Sequence, residues 1–294
     1  MDFILYNGRI MHAADFNPGN LRMTGALVIP EEMWFSNGEI PFFNVHMDNL
    51  EATLSYLGNS SPALLSARNE ILRLSRRVIN KNKAFMGGWL RMQFALSDKI
   101  LQYWAWVEPC PTRTFPFDAT GKMASMGSCQ KFSGNSPSRF AWFSETLWKT
   151  ELLKRAGTRN EECIFLNERG AVTETAGANL FVIRKNSVVT PSDHTGCYID
   201  PIRELVMDSA RELGFMTGYS GEILPGDLPE AEEIFIVSEG RGFKWIMGLD
   251  TRRFVKTKSE LIWKQVNKSA FQPINSEKGS RGNSPTWNSA FPLS

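Results

Sequence analysis

Short apolar runs that end in turn residues predict strands near the amino terminus. Phe3 to Ile10 is such a run and ends in Asn-Gly-Arg, and Met33 to Ile40 has the same form around Ser36-Asn37-Gly38. Asn-Gly pairs favour tight hairpin turns, so both segments predict antiparallel pairing. Two further apolar runs, Trp89 to Leu96 and Ile100 to Val107, are joined by three polar residues and predict a hairpin.

Two segments between these strands have apolar residues at helical spacing. Val45 to Leu57 carries leucines three and four residues apart and is followed by Gly58-Asn59, which is a stop signal. Leu64 to Ile79 has a second apolar stripe and predicts a second amphipathic helix. The first part of the chain is therefore predicted to be a helix pair packed on a small antiparallel sheet, which is an α+β pattern.

A proline-containing stretch from Glu108 to Gly121 predicts a domain boundary near Phe115. We predict a smaller domain over residues 1–114, a larger strand-rich domain over residues 115–274, and a loose polar tail over residues 275–294. The elements predicted in the larger domain are helices over residues 145–156 and 202–213 and strands over residues 163–166, 179–184, 188–190 and 234–237.

Composition and charge exclude several classes of protein. The chain has 294 residues, of which 42% are hydrophobic and 22% charged, and its net charge is only +2. Because basic and acidic residues are interspersed, the sequence argues against nucleic-acid binding. Neither a signal peptide nor an apolar run long enough to span a membrane is found, so a cytoplasmic location is expected. The four cysteines are too far apart for a paired zinc motif, and no metal site is predicted.

One segment carries most of the functional information. It runs from Leu166 to Ile183 and contains Glu174, a loop of small residues, and Asn179 before an apolar strand. This arrangement resembles the signature of fold-type IV pyridoxal-phosphate enzymes, which are the class IV aminotransferases and aminodeoxychorismate lyase. In that family the glutamate pairs with the pyridine nitrogen of the cofactor, so the ring can act as an electron sink.

Further segments match the same family in the same order. They are Ile40 to Leu50, Gly88 to Phe94, Gly196 to Arg203, and Glu233 to Ile246. The resemblance extends over residues 1 to about 265 and implies a two-domain fold, with a smaller amino-terminal α/β sandwich and a larger barrel-like carboxy-terminal domain. It also implies a homodimer, pyridoxal phosphate as cofactor, and an amino acid, keto acid or chorismate-like ligand. Glu174, Asn179, Ile202 and Arg241 occupy the positions that match the cofactor-binding residues.

The Schiff-base lysine of the family is absent from its expected place. Counting back from Glu174 leads to Phe140-Ala141-Trp142, and Arg139 cannot replace a lysine because a guanidinium stays protonated. Lys131, in Lys-Phe-Ser-Gly-Asn, resembles the lysine segment of branched-chain aminotransferases, but it lies about nine residues too early. Its ordinary interpretation is a solvated loop lysine. A position close to Glu174 would favour an active enzyme, whereas a space filled by Phe140, Trp142 or Arg139 would not.

Other positions that would hold the cofactor are also changed. Asn49 replaces an arginine at the start of the first helix, and Asp200-Pro201 replaces residues that offer backbone amides to the phosphate. Arg241 either holds a phosphate or carboxylate or pairs with Glu239 or a backbone carbonyl. His46 is interpreted as a packing or capping residue, because no acid or serine adjoins it in sequence.

Three functions remain open on this sequence. The first is a pseudoenzyme of the class IV aminotransferase family, impaired in Schiff-base chemistry and kept for ligand binding or association. The second is an active aminotransferase or lyase that uses Lys131. The third is a protein that binds a carboxylate ligand in the old active-site cleft through Glu174 and Arg241.

Overall fold

A computed structural model describes residues 2–17, 25–59, 67–97, 100–134, 136–155 and 161–270. The predicted polar tail at 275–294 lies outside these residues. Within them, no helix is both long and apolar enough to cross a lipid bilayer.

The amino-terminal strands form a five-stranded antiparallel sheet with the order β2-β1-β5-β4-β3. The turn between β1 and β2 is made by Asn7 and Gly8, which both have positive φ, as a tight hairpin requires. The hairpins predicted from Phe3 onward and over residues 89–107 are confirmed. The segment Met33 to Ile40 is a strand only as far as Ser36, which then makes a single bridge to Glu39, so the hairpin form predicted there is wrong. The strands are β1 Phe3–Tyr6, β2 Arg9–His12, β3 Leu27–Ser36, β4 Gly87–Ser97 and β5 Ile100–Cys110.

Two helices cover this sheet, as the apolar spacing predicted. Helix α1 is Phe43–Tyr56 and helix α2 is Arg68–Lys81. Their apolar faces are buried in one core with residues of the sheet, so helix pair and sheet form a sandwich. The helix residues that contribute most are Phe43, Leu50, Leu54, Ile71, Leu74 and Val78.

A nine-stranded mixed sheet forms the second part of the molecule, and it curls into a half-barrel. Its order is β11-β10-β9-β12-β13-β6-β7-β8, and β14 pairs with β13. The strands are β6 Phe117–Lys131, β7 Glu161–Asn167, β8 Val172–Thr175, β9 Asn179–Arg184, β10 Ser187–Pro191, β11 Met216–Ser220, β12 Glu233–Ser238, β13 Gly242–Leu249 and β14 Arg252–Arg253.

Helices α4 Arg203–Glu212 and α5 Thr257–Ala270 pack on one face of the large sheet. Phe181, Phe235 and Phe243 stack on neighbouring strands beneath them, with ring centroids 4.9 and 5.0 Å apart. Stacked rings of this kind bury a large apolar area. This core fixes the strands of the large sheet that carry the candidate site.

The strand β6 was not predicted, and it carries the site. In β6 the residues that are buried follow no regular alternation, and the register with its neighbours shifts twice against β13 and once against β7. The strand forms because it has parallel partners on both sides, so its backbone hydrogen bonds are satisfied without an apolar period. Strands β11 and β13 and helix α5 were also missed.

The strands up to Cys110 belong to the small sheet and those from Phe117 to the large one. The domain division at residues 114 and 115 remains a prediction. Side chains nevertheless cross between the sheets: the indole of Trp89 donates to the backbone oxygen of Glu239 at 2.8 Å. The candidate site lies in this junction.

Candidate functional site

Lys131 and Glu174 form a buried ion pair in the part of the molecule built on the large sheet. Lys131 ends β6 and Glu174 lies in β8, and their side chains are 2% and 0% exposed. The ammonium Nζ lies 2.6 Å from Oε1 and 2.7 Å from Oε2 of the carboxylate. Lys131 is therefore not a solvated loop lysine, and that interpretation of the sequence is wrong.

Both charged groups have every hydrogen-bonding position occupied. Lys131 also donates to the backbone oxygen of Ser138 at 3.1 Å and to the hydroxyl of Ser144 at 2.9 Å. Glu174 also accepts from the indole of Trp148 at 2.8 Å and from the backbone N–H of Tyr198. Burial raises the pKa of Glu174, and the adjacent ammonium opposes that rise.

The segment expected to hold the family lysine has no lysine near Glu174. Ala141 begins helix α3, Ala141–Lys154, and Phe140 is buried just before it. The indole of Trp142 turns toward α1 and donates to the hydroxyl of Thr53 at 3.1 Å. The lysine that lines the adjacent cavity is Lys149, which lies at the rim and pairs with Glu145 at 2.7 Å.

In the segment that resembles a phosphate cup, the side chain of Asp200 occupies the place where a phosphate would bind. One carboxylate oxygen of Asp200 accepts from the backbone N–H groups of Ile202 and Glu239, both at 3.1 Å. The other accepts from the phenol of Tyr198 at 3.0 Å. Because the amide of Ile202, at the start of α4, would otherwise face an anion, the side chain of Asp200 takes the position of a bound anion there. Asn179 supports the turn by accepting from the N–H of Asp200 at 2.9 Å.

Burial and the nearby carboxylate of Glu239 raise the pKa of Asp200 to about 7. The amides of Ile202 and Glu239 and the ring of His46 oppose this rise, since they favour the ionised form.

Arg241 contacts an acid that the sequence did not indicate. Its guanidinium lies 2.7 and 3.1 Å from the two carboxylate oxygens of Glu162, and it also donates to the backbone oxygen of Ala176. The predicted bond to a backbone carbonyl is present, whereas the predicted acid, Glu239, is not the partner. A guanidinium held in this way has fewer donors left for a ligand.

His46 is the centre of a network that sequence spacing could not reveal. Its Nδ1 lies 2.5 Å from Glu31 and its Nε2 lies 2.7 Å from Glu239. Burial alone would lower the pKa of His46, but the carboxylates of Glu239 and Glu31 raise it to about 10. The imidazole is therefore a buried cation between two acids. Glu239 lies 193 residues from His46, so the histidine only looked isolated.

A cavity of about 450 Å³ opens beside these groups, between β3, α3 and the turn after β12. Trp148 and Tyr198 form an aromatic wall, with ring centroids 5.1 Å apart. Glu31, His46, Asp200 and Ser238 line its inner end, and Arg91, Lys149 and Arg241 line the remainder. The cavity is large enough for a small organic molecule.

Comparisons with known proteins agree with this architecture. Residues 141–244 match the family model described as amino-transferase class IV. A probable branched-chain-amino-acid aminotransferase of Aquifex aeolicus (strain VF5) is 23% identical over 70% of this chain and 69% of that protein. The resemblance to class IV aminotransferases that the sequence indicated is thereby confirmed.

Solved structures show the same fold. A branched-chain amino acid aminotransferase of Thermobaculum terrenum in its PLP form superposes with a TM-score of 0.77 and 16% identity, covering 91% of this chain and 93% of that one. A putative 4-amino-4-deoxychorismate lyase of Legionella pneumophila gives a TM-score of 0.70 and 15% identity, with 83% and 91% coverage. The chain has the fold of the fold-type IV aminotransferases, as predicted.

Proposed function

We propose that this protein is a class IV aminotransferase relative that lacks Schiff-base chemistry and binds a small molecule in the cleft between its two sheets. One observation carries the proposal: the ammonium of Lys131 contacts both carboxylate oxygens of Glu174 directly. The same contact gives Lys131 a structural role, because it neutralises a carboxylate that has no access to water.

The position of Lys131 does not suit a pyridine ring. A Schiff-base lysine attaches to the carbon substituent on one side of the ring, and the acid pairs with the ring nitrogen on the opposite side. In this chain no space for a ring separates the two groups. All three protons of the ammonium are also engaged, so no lone pair is available for attack on a carbonyl carbon.

The phosphate end of the cofactor meets a second obstacle. A phosphate at the start of α4 would need the backbone N–H of Ile202, which the carboxylate of Asp200 already occupies. A dianion would also lie beside the carboxylates of Asp200 and Glu239, at a separation where like charges repel strongly. The residues present therefore do not fit pyridoxal phosphate at either end.

The test is reductive trapping of the purified chain. We expect incubation with pyridoxal phosphate and borohydride to give no stoichiometric label on a single lysine, and only slow, scattered labelling of exposed lysines such as Lys149. Stoichiometric labelling of one lysine that persists in Lys149→Ala would overturn the proposal.

The second candidate is an active enzyme that uses Lys131, acting on an amino acid, a keto acid or a chorismate-like compound. The observation that favours it is that Lys131 reaches Glu174, which was the condition set from the sequence. The cofactor would first have to displace Lys131 from that contact. Trapped label that disappears in Lys131→Ala but persists in Lys149→Ala would establish this alternative.

A carboxylate ligand held by Glu174 and Arg241, the third function considered, has less support. Glu174 is saturated by donors from the chain, and Arg241 is paired with Glu162. A cytoplasmic location and a homodimer remain proposals drawn from the sequence and the family resemblance.

A further inference from the structure

The basic side chains that line the cavity are paired with acids. Arg91 contacts Glu32 and Glu108, Arg241 contacts Glu162, and Lys149 contacts Glu145. A paired cation contributes little field to its surroundings, because the opposite charge lies within hydrogen-bond distance. These side chains therefore do not make the cavity attractive to an anion.

The inner end of the cavity has more acids than bases. Glu31, Glu239 and Asp200 share one cation, which is His46. Burial raises the pKa of Glu31 and brings that of Asp200 to about 7, so at neutral pH these two acids hold part of this charge as bound protons. Three acids beside one imidazolium can still release more negative charge than His46 balances, and a bound cation favours that ionised form. In agreement, burial and the carboxylates of Asp200 and Glu31 raise the pKa of the Tyr198 phenol, which faces the same end.

A buried hydroxyl at the same place lacks a partner. Ser238 lines the cavity and is 1% exposed, and its Oγ makes no hydrogen bond within the part of the chain that the structure describes. A buried hydroxyl without a partner costs free energy, and nearly all such groups in folded proteins are satisfied by protein, water or ligand. Ser238 is thus an independent indication that a polar group binds here.

We propose that the cavity binds a small organic cation, whose ammonium or guanidinium group contacts Glu31, Asp200 and Ser238 and whose carbon skeleton packs against Trp148. The proposal rests on the proposed function, since the cavity must be free of pyridoxal phosphate. Both carboxylates accept hydrogen bonds from a cation, and the Ser238 hydroxyl supplies a further acceptor. The indole of Trp148 supplies an apolar ring face for the carbon skeleton.

The experiment compares three probes of one shape on the full chain without added cofactor. Benzylamine is the cation, benzyl alcohol its neutral counterpart and benzoate the anion. By titration calorimetry we expect benzylamine to bind at least about tenfold more tightly than benzyl alcohol, because the alcohol lacks the charge that meets the carboxylates. We expect no measurable binding of benzoate. Equal affinity for all three, preferred binding of benzoate, or no binding of benzylamine would overturn the proposal.

A pair of serine variants locates the site. We expect Ser238→Ala to weaken benzylamine binding about fivefold, which is the range for loss of one hydrogen bond. Ser209→Ala is the matched control, because Ser209 is equally buried and also has an unpartnered hydroxyl in the described chain, but it lies in α4 and away from the cavity. Equal effects of the two variants would overturn the placement of the site.

The two proposals fail in different ways. Absence of benzylamine binding in protein that forms no borohydride-stable adduct overturns the cation site and leaves the proposed function standing. A stoichiometric adduct overturns the proposed function, whatever the result of the titration.

Discussion

At the scale of single residues, the pair of Lys131 and Glu174 is stabilising only as a pair. Each charge loses its hydration when it is buried. The opposite charge and four other hydrogen bonds compensate for that lost hydration. We expect Lys131→Met to lower the free energy of unfolding by about 3–5 kcal/mol, because it leaves a buried carboxylate without a counter-charge. Urea unfolding monitored by circular dichroism measures this loss.

The control for this prediction is the double variant Lys131→Met with Glu174→Gln, which removes both charges. It should recover part of the lost stability, since no unpaired charge remains. Lys149→Met removes an exposed ion pair and should change stability by less than about 1 kcal/mol. A double variant no more stable than Lys131→Met alone would contradict the account of the pair.

The same argument applies to His46, a buried cation that pairs with two carboxylates. Because the pKa of His46 is raised to about 10, the imidazolium persists well above neutral pH and holds Glu31 and Glu239 together. We expect His46→Gln to lower the free energy of unfolding by about 3 kcal/mol at pH 7, as expected for loss of one partner in a buried ionic network. Chemical denaturation measures the loss.

His194→Gln is the comparison for this change, because His194 is exposed. The pH dependence gives a second check. Stability contributed by the raised pKa of His46 is fully present below its ordinary pKa of 6.5 and is lost as pH rises through about 10. His46→Gln should lack that decline at alkaline pH, and a variant that keeps it would count against the network.

At the scale of elements, the turn before α4 should make stability depend on pH. The pKa of Asp200 is raised from its ordinary value of 3.8 to about 7, so the folded state binds a proton that the unfolded chain has released between these values. Stability from this group is therefore fully present below pH 3.8 and is lost as pH rises through about 7. Asp200→Asn should retain the acceptor oxygen for the amides and remove this dependence.

The measurement is the free energy of unfolding at pH 5 and at pH 8. We expect the wild-type chain to lose about 2.5 kcal/mol more than Asp200→Asn between these two values, a figure that follows from the number of protons exchanged. Asp208→Asn is the control, because it removes a half-exposed carboxylate from α4, the helix that follows the turn of Asp200. Parallel pH profiles for wild type and Asp200→Asn would refute the raised pKa of Asp200.

Elements with an apolar period could be predicted from the sequence, and elements held by their neighbours could not. Helices α1 and α2 and the hairpin of β4 and β5 follow from the spacing of their apolar residues. Strand β6 contains Asp118, Thr120 and Lys122 among small residues and has no such period. It is a strand because β7 and β13 flank it, and that information lies far along the chain.

At the scale of the whole molecule, the candidate site too could be predicted only where its signal is local in the sequence. The motif around Glu174 indicated the resemblance to class IV aminotransferases, because its signature is local in sequence. The groups that donate hydrogen bonds to the carboxylate of Glu174 come from three other segments, which are the end of β6, helix α3 and the turn before α4. Pairing of this kind is set by tertiary structure, so the roles of Lys131, Asp200 and His46 appear only when the sheets are brought together.

The carboxy-terminal end of α3 predicts how whole molecules associate. Leu152 and Leu153 are neighbours there and are 49% and 77% exposed, and Leu152 also lines the cavity. Large apolar side chains grouped in this way commonly mark an interface, and the family resemblance implies a homodimer. We therefore expect light scattering to give twice the mass of the chain, and Leu153→Glu to shift the protein toward a monomer because a buried charge opposes association. Met216→Glu, at an equally exposed apolar position on β11, should leave the mass unchanged. A monomeric wild-type protein, or equal effects of the two variants, would exclude α3 as the interface.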